Sequence, residues 1–292
     1  MRDKAVRRNS FSTRLVSLIL SWMLSVFLAL TVILSAVSMG FLNRDFLVER
    51  FCTEDYYENI RTYFYDTVDK KIFSTGISAE EALGEDVSVQ QIERDITEYV
   101  NTVFVQGIAT MDTTELSAKI VENLKAYMQK NGIEETEENL AEIQILSEDL
   151  CEQYADLTAL PFLSYYVNVI ELFEQYRSIV FGVCGGVILF IMFLLVCLYP
   201  QDRFEVCRYY IYALTAALLM GGVIPIWVLA TGIHRRLNLS PEYFYLLIVD
   251  FVDQGMRVFF VPLLICIILL ALISIAWGCQ RAYRRKADSR SE

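Results

Sequence analysis

The chain has 292 residues, 55% of them hydrophobic, and 36 acidic side chains against 25 basic give a formal net charge of -11. An acid excess of this size argues against nucleic acid as a partner, whose phosphates require a basic surface. A single histidine excludes zinc sites of the H-E-x-x-H type, and no Walker, Rossmann or G-x-S-x-G pattern is present.

The distribution of these residues says more than their sum. Four apolar runs carry no charged side chain: Leu15 to Leu42, Ile179 to Tyr199, Tyr209 to Ile233 and Val258 to Trp277. About 20 residues at 1.5 Å each cross a hydrocarbon core of roughly 30 Å. They predict transmembrane helices over 15–42, 178–199, 209–233 and 258–278. Residues 43–177 carry 28 acidic and 10 basic side chains, a net of -18, while the rest of the chain nets +7. Arg2, Lys4, Arg7, Arg8 and Arg14 precede the first run, and Arg281, Arg284, Arg285, Lys286 and Arg290 follow the last. Basic flanks resist translocation, so both tails, 1–14 and 279–292, and the loop 200–208 are expected in the cytoplasm. Residues 43–177 and 234–257 then lie outside. A signal peptide cleaved after Ala36 and Ser38 is the alternative for the first run, which is longer than a usual signal core.

In chain order, Ser17, Ser21, Ser25 and Ala29 repeat every fourth residue of the first span and predict a helix-packing stripe. The stretch Phe41 to Phe51 is expected to carry that helix outward. Thr53, with Glu54 and Asp55, then opens an amphipathic helix whose core face is Tyr56, Ile60, Phe64, Val68 and Ile72. A loop with Gly76 and Gly84 follows, in which Ser78 and Glu81 can cap a single turn. Ser88 with Gln91 and Asp112 with Glu115 predict the starts of two further helices, which stop at Gly107 and at Asn131 with Gly132. Their core faces read Ile92, Ile96, Val100, Phe104 and Leu116, Ile120, Leu124, Met128. A longer helix runs from about Thr136 to Leu157, on Leu140, Ile143, Leu150, Tyr154 and Leu157. Pro161 breaks it, and the chain from Phe162 is expected to merge with the second span. No stretch alternates with strand period. The fold class is therefore all-α, with four transmembrane helices and an extracytoplasmic helical bundle between spans 1 and 2.

Further packing faces are Gly182 with Gly186, and Ala213, Ala217 and Gly221. Pro225 and Pro262 are expected to kink their spans. Residues 246–256 form an interfacial helix in which Asp253 and Arg257 can pair one turn apart, with Gly255 as a hinge. Cys52 and Cys151, the two cysteines of the outer segment, are a candidate disulfide, with paired free thiols as the alternative. His234 reads as a polar boundary residue rather than a catalytic one. Glu134, Glu135, Glu137 and Glu138 read as a solvated helix start, since they lack the pattern of a calcium loop. No catalytic, cofactor-binding or metal-binding residue set is predicted.

An anchor, an outer stretch such as Phe46 to Phe64 with paired Tyr56 and Tyr57, capped helices and three closing spans resemble uncharacterised four-span membrane proteins of Gram-positive bacteria. The resemblance implies the bacterial cytoplasmic membrane and no activity. The order of one span, a large outer domain and three spans is also similar to permease subunits of the FtsX and MacB type, which couple a cytoplasmic ATPase to outer-face work. The leading expectation is a non-enzymatic membrane protein whose outer domain binds a protein or envelope partner, with signalling through spans 1 and 2.

Overall fold

The computed structural model of the chain describes the backbone of residues 2–51, 53–73, 76–84, 87–107, 110–160, 162–200 and 203–288. All regular structure among the described residues is helical. Four helices are long and apolar enough to cross a membrane, which makes this a multi-pass membrane protein by length and composition. The chain divides into two compact units, one of 1–46, 172–237 and 249–292, the other of 47–171 and 238–248.

The first helix, α1 (Arg2–Met39), ends sooner than the apolar run. Gly40 donates to the Ala36 carbonyl, and Asn43 Oδ1 then accepts from the amides of Asp45 and Phe46 at 2.8 and 3.2 Å. That side chain caps a separate short helix, α2 (Arg44–Phe51). The expected outward continuation of the first span is thus broken at residues 40–43.

The second unit is a helical bundle. Helix α3 (Glu54–Ile72) buries Tyr56, Tyr57, Ile60, Phe64, Val68 and Ile72, the face that its four-residue spacing predicts. Burial of each such side chain contributes about 1.5–3 kcal/mol before entropy is counted. The short α4 (Ala79–Leu83) opens with the full Ser78–Glu81 capping box. Asp69 Oδ1 accepts from the Ala79 amide at 2.6 Å, and the Tyr65 hydroxyl donates to the Gly84 carbonyl at 2.8 Å, so α3 holds both ends of this turn.

Ser88 caps α5 (Val89–Gln106), and Gly107 at φ 69° ends it. The buried face of α5 includes Tyr99 and Val103, while Phe104 is only half-buried. Helix α6 (Thr114–Lys130) starts one residue later than expected: Thr113 stands at the cap, and Asp112 accepts from the Thr114 amide and hydroxyl. Its face Leu116, Ile120, Leu124 and Met128 is buried as predicted. Helix α7 (Glu137–Thr158), capped by Thr136, buries Ile143, Ser147, Leu150, Cys151, Tyr154 and Thr158, with Leu140 and Leu157 at the edges. Ser147 donates to the Ser117 carbonyl at 3.1 Å where α6 and α7 meet, so a small polar residue is satisfied inside the core.

The chain after Pro161 continues into the second apolar run without a break, as expected. Helix α8 (Leu163–Leu198) runs unbroken, and Pro161 lies outside the described residues. Helix α9 (Arg203–Thr231) contains Pro225. Helix α10 (Glu242–Val258) and α11 (Phe260–Asp288) are separated by a turn at Phe259. Pro262 therefore sits in the first turn of α11, where its missing N–H costs no helical bond, and it starts that helix rather than kinking it.

In the first unit α1 packs chiefly against α9. Ser17, Ser21, Ser25, Ala29, Val32 and Ala36 are buried on α1, facing a surface with Ala213, Ala217 and Gly221. Ser21 donates across the seam to the Tyr209 carbonyl at 2.9 Å, while Ser17 donates to the Tyr199 hydroxyl at 3.1 Å. A Cβ on Gly221 would stand 3.0 Å from Val32 Cγ1, so a larger residue there would press on that side chain. Gly182 and Gly186 differ, since a Cβ on either would meet nothing within 4 Å.

Gly221→Leu is expected to lower the thermal-unfolding midpoint of the detergent-solubilised protein by several degrees, since overpacking costs about 1–3 kcal/mol. Gly182→Leu is expected to leave it unchanged. Equal effects from the two substitutions would contradict this packing.

Candidate functional site

The buried ionisable cluster of the first unit forms where α9 ends. Gly232, at φ 56°, takes the left-handed conformation that stops the helix. A 3-10 turn, Ile233–Arg236, follows and turns His234 inward, leaving its side chain 5% exposed, while Arg235 remains 60% exposed. Asp253 on α10 meets both. Its Oδ1 lies 2.7 Å from His234 Nε2, and Arg235 Nη2 donates to its Oδ2 at 2.5 Å. The imidazole N–H is not aligned on Oδ1, so the His234 contact is one of proximity and charge, and His234 Nδ1 has no hydrogen-bond partner among the described residues.

Burial pushes the Asp253 carboxyl pKa up, but the hydrogen bond and charge of Arg235, with His234 behind them, outweigh it and leave the pKa below the ordinary 3.8. The partner is not Arg257: among the described residues Asp253 is held by two groups before α10 rather than by the arginine one turn along it. An i,i+4 pair on an exposed face is worth only a few tenths of a kcal/mol. A carboxylate turned toward the end of α9 gains a guanidinium hydrogen bond and an imidazole contact instead.

Two turns of glycine contact complete this region. A Cβ on Gly255 would fall 2.5 Å from the Phe41 ring, and one on Gly40 would fall 3.5 Å from the Gly255 carbonyl oxygen and 3.4 Å from Val258 Cβ. Gly255 is therefore a place of close approach to the end of α1, where a hinge was expected. Phe41 packs edge-on against Phe251 at 5.5 Å, and Phe46 stands 5.8 Å from the same ring. Chemically, the cluster is a charge lock between α9 and α10. An acyl-transfer site needs a nucleophile beside the imidazole, and neither ring nitrogen of His234 makes a hydrogen bond to one among the described residues.

In the bundle unit, Tyr154 is 1% exposed, and its hydroxyl donates to Asp95 Oδ2 at 2.7 Å. Burial, followed by the Asp95 charge, pushes its pKa far above that of an ordinary tyrosine. Cys151 is a buried free thiol that donates to the Thr113 carbonyl at 3.9 Å, and burial pushes its pKa up as well. Cys52, its expected disulfide partner, lies outside the described residues. The sequence reading missed two partnerships, Asp95 with Tyr154 and His234 with Asp253. The available signal was an acid at the border of an apolar helix face: Asp95 precedes core Ile96, and Asp253 interrupts the run from Leu246 to Met256.

These elements define an all-helical protein with four membrane-capable helices. Compared with protein-family models, curated proteins and solved structures, the chain matches none.

Asp253→Asn gives a pH test. Because the native pKa lies below the unfolded one, the charge contributes stability above the ordinary pKa of 3.8 and loses it as pH falls through the native value. The stability difference between wild type and variant is expected to shrink as pH falls below the ordinary 3.8. A difference that grows on acidification would contradict the lock. The thiol of Cys151 is expected to react with maleimide at least about ten-fold more slowly in the native protein than in denaturant, as a thiolate-dependent reaction with a buried group requires.

Proposed function

We propose that the chain is a non-enzymatic protein of the bacterial cytoplasmic membrane whose bundle, within residues 43–177, faces outward and binds a protein or envelope component. The observation that carries this reading is the charge division: a net of -18 in the bundle segment against +7 in the rest, with the arginines gathered outside the four apolar runs. A helical domain with its own core and capped helices supplies a rigid surface for a partner. Signalling through the spans is favoured at span 2, because α8 is one unbroken helix, and disfavoured at span 1, where Gly40 to Asn43 interrupt the helix. The permease reading of the FtsX and MacB type is the weaker one, since those outer domains contain β-structure and the described residues here form none.

Sidedness is tested with single cysteines in an otherwise cysteine-free chain. Glu98→Cys on an exposed face of α5 is expected to react with a membrane-impermeant maleimide in intact spheroplasts, and Arg281→Cys only after lysis. The opposite pattern would overturn the placement. Photo-crosslinking from exposed α5 and α7 positions is then expected to trap an outer-face partner in fixed stoichiometry, whereas recovery of a cytoplasmic ATPase would favour the permease reading.

A further inference from the structure

The bundle contains an apolar cavity of about 370 Å³ between α6, α7 and the segment before α4. Its walls include Ile77, Leu124, Met128, Ile133, Ile143 and Leu146. The geometry of one helix end builds it. Gly132 at φ 69° lets the Ile133 amide donate to the Met128 carbonyl at 3.0 Å, a helix stop that folds the following apolar side chain back against the last turn. Ile133 remains 44% exposed there, at the opening rather than in the core.

The chain around that opening is acidic. Glu142 lines the cavity itself, Glu134 and Glu135 directly follow the lining residue Ile133, Glu138 directly precedes the lining residue Asn139, and these glutamates with Glu137 are all exposed. Lys125 and Lys130 are the basic residues of this end of α6, so acids outnumber bases in this stretch. Neither feature is informative alone: an acidic helix start favours the macrodipole, and small apolar clefts are common. Together they select against most occupants. A neutral hydrophobe gains nothing from the rim, and an acidic or phosphorylated segment is repelled by it. A basic segment carrying an apolar anchor satisfies both, with its aliphatic side chain in the cavity and its lysines or arginines opposite the glutamates.

We infer that this cavity is a docking site for a basic, amphipathic segment of a partner protein, anchored by one or two aliphatic side chains. The inference deepens the binding role proposed above and names its partner chemistry.

The test uses the full chain in phosphatidylcholine nanodiscs with methyl-labelled methionine, the Met128 signal being assigned by Met128→Leu. The probe is the capped hexapeptide Lys-Lys-Leu-Leu-Lys-Lys, with empty nanodiscs as the blank. Saturable binding that moves the Met128 methyl resonance is expected. Replacing the leucines of the peptide by serine, or its lysines by glutamate, should weaken binding at least ten-fold. In the protein, Ile133→Ser with Leu146→Gln should do the same, and so should Glu138→Lys with Glu142→Lys, a surface pair that leaves the core intact. An unmoved Met128 signal, or equal binding by the serine peptide or by the charge-reversed protein, overturns the inference. Sidedness does not enter this measurement. A cytoplasmic bundle would overturn the placement proposed above while leaving the cavity result standing, and a failed cavity would leave the maleimide pattern untouched.

Discussion

The membrane unit depends on how closely its backbones can approach. Lipid is as apolar as leucine, so helices in it are held by close packing and by hydrogen bonds rather than by expulsion of water. The α1–α9 seam meets that constraint with small side chains on both faces, and Gly221 marks the point where even a methyl group would press on Val32. Its serines answer the polar side of the same constraint. Ser25 donates to the Trp22 carbonyl of its own helix and Ser21 to the Tyr209 carbonyl of the facing one, so no buried hydroxyl in the stripe needs water. A polar path would leave such hydroxyls free to meet a solute.

The same constraint explains the second glycine contact, and a charge cluster holds the other side of α10. Gly40 and Gly255 bring the end of α1 against α10, and the Phe41 ring lies where a side chain on Gly255 would be. This fixes one face of α10, that of Gly255 and Phe251, against the end of α1, and leaves Asp253, two residues before Gly255 and so about 200° around the helix, on the other side. A carboxylate at 13% exposure would be costly alone. The 3-10 turn after Gly232 supplies Arg235 and His234 at the required distance. α10 is therefore held on two sides, by the glycine contact with α1 on one and by the ion cluster with the turn after α9 on the other.

Local rules made most of the bundle legible. The four-residue spacing of Tyr56 to Ile72 and of Leu116 to Met128 gave the buried faces directly, and the Ser78–Glu81 box and Gly107 stop stand where their chemistry places them. What remained hidden was set by tertiary contact. The end of α1 could not be read from an apolar run that continues to Leu42, because the break depends on Gly40 meeting α10 and on Asn43 turning back onto the amides of α2. Asp253 and Arg257 satisfied a helix-surface rule, and contact with the preceding turn overrode it. Pro262 shows the same limit, since its position within a long apolar run hides that a helix begins two residues earlier.

The acid excess of the bundle has two parts, acids at helix starts and acids elsewhere. Asp45, Glu54, Asp55, Glu80, Glu81, Glu115, Glu137 and Glu138 lie in the first turns of their helices, where negative charge offsets the macrodipole at each N-terminus. The helix starts account for the placement of these, Glu137 and Glu138 also belonging to the acidic stretch beside the α6–α7 cavity. Asp95 is likewise committed, accepting from Tyr154 and from Gln91 within the bundle. Net charge by itself therefore overstates the functional signal. The sharper observation is local: beyond the first-turn pair of α7, Glu142 lines the same opening as Ile133, Met128 and Leu146, and Glu134 and Glu135 directly follow Ile133, Glu135 accepting from Gln129 at 2.9 Å. An acidic stretch beside apolar surface that the core leaves open is the feature on which the proposed docking rests.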